Sequence, residues 1–183
     1  MLKERVKEMK VFIGCSSYEI IDKKYFEEGS KIASFLASKN NSLIFGGSSH
    51  GLMGCVYNEF KKQNRDILAI QIEKYKEDLN DLECNKKLLK NVYDQLVAFM
   101  NESDVLIYLP GGYGTYNEIF YMMCEYINES HNKPIIIYNI NGYYDEIDKI
   151  LNKMKEEKFA KKFNFVKIVN NLDEFKSIME EIC

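Results

Sequence analysis

The run Pro110-Gly111-Gly112-Tyr113-Gly114-Thr115-Tyr116-Asn117-Glu118 brings three glycines, a threonine hydroxyl and a carboxylate into one short stretch. Glycine lets a backbone approach a ligand closely and adopt positive φ, and the N–H groups at a helix start sit at the positive end of its dipole. That is chemistry for an anion, above all a phosphate. Glu118 falls one turn into the helix such a loop would open, so its carboxylate lies beside whatever those N–H groups hold. Next to a sugar phosphate, a carboxylate can stabilise an oxocarbenium-like centre or direct a water, which is what glycosidic cleavage requires. Read blandly, the same glutamate only complements the helix dipole. Its position alone leaves both readings open.

Two further clusters share this chemistry, Gly14-Cys15-Ser16-Ser17 and Gly46-Gly47-Ser48-Ser49-His50-Gly51-Leu52-Met53-Gly54. Neither glycine loop is followed by Lys-Ser or Lys-Thr, and neither gives a clean G-x-G-x-x-G, so ATP hydrolysis and dinucleotide binding both lose ground. His50 and His131 have no acidic or cysteine partners at ligand spacing, and no metal site is expected. The five cysteines are odd in number and form no C-x-x-C pair. They point to a reducing compartment, with Cys15 and Cys55 read as packing residues.

These clusters need a frame that gathers them. Short β-branched or aromatic runs at 11–15, 42–45, 67–71, 105–109, 134–138 and 165–169 read as buried parallel strands. Between and after them, 25–38, 52–62, 88–100, 117–127, 144–155 and 172–182 carry apolar residues at helical spacing. The charged stretch 72–87 reads as a surface loop with at most a short helix. Strict alternation implies right-handed crossovers and an α/β fold: a single-domain, Rossmann-like, doubly wound parallel sheet with helices on both faces, spanning residues 1–183. Each cluster directly follows a strand, so all three fall on the carboxyl edge, where such sheets bind ligands.

Composition narrows the partners. The net charge of −3 comes from 25 basic and 28 acidic residues interspersed along the chain, without the basic excess that nucleic-acid binding demands. The N-terminal residues lack an apolar h-region and no later run is long enough to span a bilayer. A cytoplasmic protein with neither nucleic acid nor membrane as partner is expected.

G-G-x-x-x-G-L-M-G at Gly46 to Gly54, with P-G-G-x-G-T-x-x-E at Pro110 to Glu118, resembles the Lonely Guy family of cytokinin-activating phosphoribohydrolases, long labelled lysine decarboxylases. The resemblance runs from about Lys10 onward. It takes in the Cys-Ser turn, His131-Asn132-Lys133-Pro134 and Asn141-Gly142-Tyr143-Tyr144. It implies cleavage of the N-glycosidic bond of a nucleoside 5′-monophosphate to free base and ribose 5-phosphate, without metal or organic cofactor, by a homodimer with sites near its interface. Carried over, Gly111, Gly112, Gly114 and Thr115 hold the 5′-phosphate together with Ser17, Gly46, Gly47, Ser48 and Gly51, and Glu118 is the catalytic carboxylate. The decarboxylase label finds no recognisable pyridoxal phosphate site.

The chain departs from the family at one motif. Where nucleotide-hydrolysing members carry Met-x-x-Arg-Lys, this sequence has Val92-Tyr93-Asp94-Gln95-Leu96. Gln95 can donate a hydrogen bond but supplies no charge and no bidentate fork. Lys86-Lys87, in a gapped alignment, or Lys90 are the candidate replacements. Three functions follow: hydrolysis of AMP or an N6-modified AMP; nucleotide binding as a sensor or partner module with little hydrolysis; or cleavage of a pyrimidine nucleotide of the CMP type.

Overall fold

The computed structural model describes residues 8–160 and 164–182. Most of the N-terminal stretch read for a leader, and Cys183, lie outside them. Thirteen elements form the frame: β1 (Lys10–Gly14), α1 (Lys23–Ser38), β2 (Ser42–Phe45), α2 (Gly51–Lys62), β3 (Ile67–Ile72), β4 (Asn85–Leu89), α3 (Val92–Glu102), β5 (Val105–Tyr108), α4 (Tyr113–Ile127), β6 (Ile135–Tyr138), α5 (Asp145–Glu156), β7 (Val166–Val169) and α6 (Leu172–Ile182). A 3-10 segment, Glu73–Leu79, joins β3 to β4.

All seven strands pair in parallel in the order β4-β3-β2-β1-β5-β6-β7. The central strands are uniformly apolar because helices cover both faces of the sheet. Val11, Ile13, Leu43 and Phe45 face a core closed by Ile32 and Leu36 of α1, Val56 and Phe60 of α2 and Phe175 of α6. Phe12, Ile44, Leu106 and Tyr108 face the opposite core, closed by Phe99 of α3, Ile119 and Met122 of α4 and Ile147 of α5. The doubly wound α/β reading therefore holds. The order reverses at β1, whose neighbours are β2 and β5, and this is the switch point where the crevice opens.

Two boundaries differ from the sequence reading. Residues 72–87 are more than a loop: Asn85–Leu89 forms an edge strand, paired from Leu68↔Asn85 to Ile72↔Leu89. Its sequence, Asn-Lys-Lys-Leu-Leu, lacks the apolar run that marks a buried strand, because an edge strand has a partner on one side only and lysine there discourages further pairing. Leu88 and Leu89 belong to this strand, so α3 starts at Val92, capped by Asn91, whose Oδ1 accepts from Asp94 N at 3.0 Å. At the other boundary, α4 begins at Tyr113 rather than 117, which puts Gly114 and Thr115 inside its first turn.

Candidate functional site

The loops after β1, β2 and β5 bind one another before they could bind anything else. Leu109 N donates to Gly14 O at 2.9 Å, Ser16 N to Pro110 O at 3.1 Å and Met53 N to Ser16 O at 3.0 Å. A neighbouring backbone demands glycine at Gly51, and neighbouring side chains demand it at Gly14. A Cβ on Gly51, which has φ of +59°, would stand 2.4 Å from the Ser17 carbonyl carbon. A Cβ on Gly14 would stand 2.5 Å from Glu118 Oε2 and 2.8 Å from the Tyr108 ring.

The Pro110-Gly111-Gly112 turn is fastened from behind by two neighbouring tyrosines. Tyr143 Oη donates to Gly111 O at 2.7 Å, and the buried Tyr144 Oη donates to Leu109 O at 2.8 Å. Their segment is bent by positive φ at Asn141 and Gly142 and pinned where Tyr144 N donates to Asn139 Oδ1 at 2.6 Å. The Asn-Gly-Tyr-Tyr motif thus fixes the Pro110-Gly111-Gly112 turn through the carbonyls of Leu109 and Gly111. Lys133 of the His-Asn-Lys-Pro motif is structural: its Nζ donates to the carbonyls of Met100 and Ser103 and closes the end of α3.

A cavity of about 440 Å³ opens on the carboxyl edge, with Ser17, Gly46, Ser48, Gly114, Gln95 and Glu118 in its wall. Both α4, capped by Gly112, and α2, capped by His50, begin without a side-chain cap. At α4 the first N–H groups and the dipole are left for another partner, whereas at α2 Met53 N is already taken by Ser16 O. Glu118 is only partly buried as a residue because it borders the cavity, yet its Oε2 is fully enclosed and accepts no hydrogen bond from any described residue. Burial pushes its carboxyl up to about 8, since a low-polarity surrounding disfavours the charged form. Tyr108 Oη, on the strand beneath, is likewise enclosed without a described partner. Burial, and then the nearby Glu118, push the Tyr108 hydroxyl and the Cys15 thiol upward as well. Cys15 is thereby kept a neutral packing residue.

The remaining sequence candidates stand behind the wall. Gly47, with φ of +74°, turns the β2 loop over Leu79, and Gly111 packs on the Thr115 side chain. Gly112 is exposed at the helix start and Thr115 is buried in its first turn. His50 does not border the cavity; its Nδ1 pairs with Glu19 Oε1 at 2.9 Å.

Gln95 borders the cavity, but its amide is engaged: Nε2 donates to Ile70 O at 2.8 Å. Leu96 is buried in the same wall. The gapped alternative is not supported by the geometry, because Lys86 and Lys87 lie on edge strand β4 and Lys87 pairs with Glu102 at 2.8 Å. Lys90 is exposed and does not border the cavity. Among the described residues, none that lines the cavity is basic; its carboxylic members are Asp78 and Glu118. Lys74 lies at its margin, 5.1 Å over the ring of Tyr75. Tyr18, Tyr75 and Asp78 were not singled out in the sequence. Tyr75 and Asp78 sit in the charged segment after β3, where neither glycine nor periodicity marks them.

A second, apolar hollow of about 340 Å³ lies between α4 and α5, lined by Phe120, Met123, Leu151 and Phe165 among others. It shares no residue with the three clusters. No described helix is long and apolar enough to cross a membrane.

Residues 53–182 match a family described as possible lysine decarboxylase. A probable cytokinin riboside 5′-monophosphate phosphoribohydrolase of Oryza sativa subsp. japonica is 27% identical over 161 residues, covering 87% of this chain and 64% of the relative. A second rice relative of the same description is covered over 63% of its length, so the match spans somewhat under two thirds of both. A cytokinin riboside 5′-monophosphate phosphoribohydrolase of Arabidopsis thaliana is 26% identical over 98% of this chain and 87% of its own length. Among solved structures, a molybdenum cofactor binding protein from Rippkaea orientalis superposes with a TM-score of 0.74 at 18% identity, covering 96% of this chain and 98% of that one. The molybdenum cofactor carrier protein of Chlamydomonas reinhardtii gives 0.70 at 13%, with the same coverage. At such identities the likeness is one of fold.

Proposed function

The chain belongs to the Lonely Guy family, the one described as possible lysine decarboxylase, and on that premise we propose that it hydrolyses the N-glycosidic bond of a nucleoside 5′-monophosphate, AMP or an N6-modified AMP. The observation that carries this reading is Glu118. Glu118 borders a cavity flanked by two helix starts that lack side-chain caps, and one of its carboxyl oxygens is enclosed without a described partner. The relatives named above act, by their descriptions, on cytokinin riboside 5′-monophosphates.

In this mechanism the 5′-phosphate rests on the N–H groups at the start of α4, backed by the loop around Gly46 and Ser48 and by Ser17. The ionised Glu118 stabilises positive charge developing at C1′ and directs a water to it. The C1′–N bond breaks and its electron pair leaves on the base; the water oxygen becomes the new C1′ hydroxyl, and the proton that the water gives up ends on the base. Decarboxylation through pyridoxal phosphate does not fit the site, because no lysine among the described cavity residues could carry the Schiff base.

Dimerisation and a cytoplasmic location complete the proposal. Leu88, Val92, Tyr93 and Val97 leave an exposed apolar strip beside the cavity, suited to a second copy. The described cysteines are all free thiols, as a reducing compartment keeps them.

Incubating the protein with AMP, isopentenyladenosine monophosphate and CMP, and following base release by chromatography, tests the assignment. Release from an adenine nucleotide that disappears in Glu118→Gln is expected. Release that is absent, or unchanged in that variant, refutes it, and a preference for CMP moves the assignment to the pyrimidine class. The engaged Gln95 amide and the lack of a basic residue in the described wall favour one second reading, a nucleotide-binding module with slow turnover. Calorimetric binding without turnover would support that module instead.

A further inference from the structure

The part of the cavity wall built by β3, the 3-10 segment and α3 has a different character from the phosphate side. Ile72, Tyr75, Val92 and Leu96, from the end of β3, the 3-10 segment and α3, give it an apolar surface suited to a flat ring. One charged group interrupts that surface, Asp78. No described residue donates a hydrogen bond to Asp78 or pairs with it. Its position is set by the next residue: Leu79 is buried under the β2 loop, so close that a Cβ on Gly47 would stand 2.7 Å from Leu79 Cδ2. Asp78 is therefore tethered to the same loop that contributes Gly46 and Ser48.

The spacing suits a base. Glu118 Oε2 lies over Gly14 at the end of β1, and Asp78 follows β3, two strand places away. The two strands themselves are about 10 Å apart, and both carboxyl-bearing residues border the one cavity. A sugar whose reacting carbon sits beside Glu118 would direct its base across this interval, onto the apolar wall and toward Asp78. A carboxylate only accepts hydrogen bonds, so the base edge that meets it must donate one. An exocyclic amine does; a carbonyl at the same position would set oxygen lone pairs against the carboxylate.

We propose that Asp78 is the specificity-determining residue for the base, accepting a hydrogen bond from an exocyclic amine so that the site takes amino-bearing nucleotides over their keto counterparts. The inference rests on the nucleotide reading of the site and goes beyond it by naming the feature that is recognised. It places a single N–H requirement on the substrate. An amine carrying one substituent still meets it, whereas a doubly substituted amine does not.

The test uses wild type and Asp78→Asn with AMP, IMP, N6-methyl-AMP and N6,N6-dimethyl-AMP, in hydrolysis assays and in calorimetric binding to the Glu118→Gln background. A hydrogen bond to a charged group corresponds to about 10- to 100-fold in affinity. Wild type should favour AMP and N6-methyl-AMP over IMP and N6,N6-dimethyl-AMP by about that factor, mainly through KM. In Asp78→Asn, whose amide can donate as well as accept, the preference for AMP over IMP should collapse toward unity. A preference that survives in Asp78→Asn, or that follows substituent size rather than the N–H, overturns the proposal. Hydrolysis without base preference removes Asp78's role and leaves the enzymatic reading intact; Asp78-dependent binding of AMP over IMP without hydrolysis does the reverse.

Discussion

Replacing Glu118 with glutamine should change how stability depends on pH, whether or not substrate is present. In the folded protein burial raises the carboxyl from an ordinary value of 4.5 to about 8. The folded state therefore holds this proton more tightly than the unfolded chain does. The stabilisation is fully present below the ordinary value and is lost as pH rises through about 8. Integrating that difference from pH 5 to pH 8 gives a loss of about 3–4 kcal/mol attributable to this one group. Glu118→Gln cannot titrate, so its stability relative to wild type should improve by about that amount over the same range. For a chain of this size the corresponding shift is about 10 °C in Tm. Urea unfolding of both proteins at the two pH values measures it, and groups common to both cancel in the comparison. Parallel pH dependences would refute the burial argument, because they would mean that Glu118 titrates alike folded and unfolded.

Three further outcomes follow from the same geometry. If the ionised carboxylate is the working form, kcat/KM should rise about tenfold per pH unit below the Glu118 value of about 8 and level off above it; a profile falling through that range would assign Glu118 as an acid instead. Gly14→Ala sets a methyl group 2.5 Å from Glu118 Oε2 and 2.8 Å from the Tyr108 ring. It should lower stability by about 1–3 kcal/mol in denaturant unfolding and base release by about 10²-fold. Tyr143→Phe removes the 2.7 Å bond to Gly111 O and should weaken nucleotide binding by about tenfold in calorimetry, with the pH profile unmoved.

The three glycine-rich clusters were legible because their signals are local. A tight turn after a buried strand needs glycine wherever the chain folds, and alternation of strand and helix places every such turn on one edge. Glu118 was legible for the same reason, being one turn into the helix that its own loop opens. The edge strand at Asn85–Leu89 was hidden because the apolar run that reveals a strand reflects burial on both faces. β4 instead carries two lysines and stands at the sheet margin. Tyr75 and Asp78 were hidden with it, since an irregular segment has no periodicity to indicate which side chains turn inward.

By itself, the sequence determined the α/β alternation, the carboxyl-edge site and the pairing of a phosphate-type turn with a carboxylate, because each depends on residues close together along the chain. Only the tertiary structure decided what surrounds that carboxylate. Gly14 from β1 and Tyr108 from β5 enclose Glu118 Oε2, the carbonyl of Ile70 on β3 engages the Gln95 amide, and the strand order brings Asp78 to the same cavity. Such neighbours come from distant parts of the chain, and the desolvation that raises the Glu118 carboxyl exists only once they have closed around it.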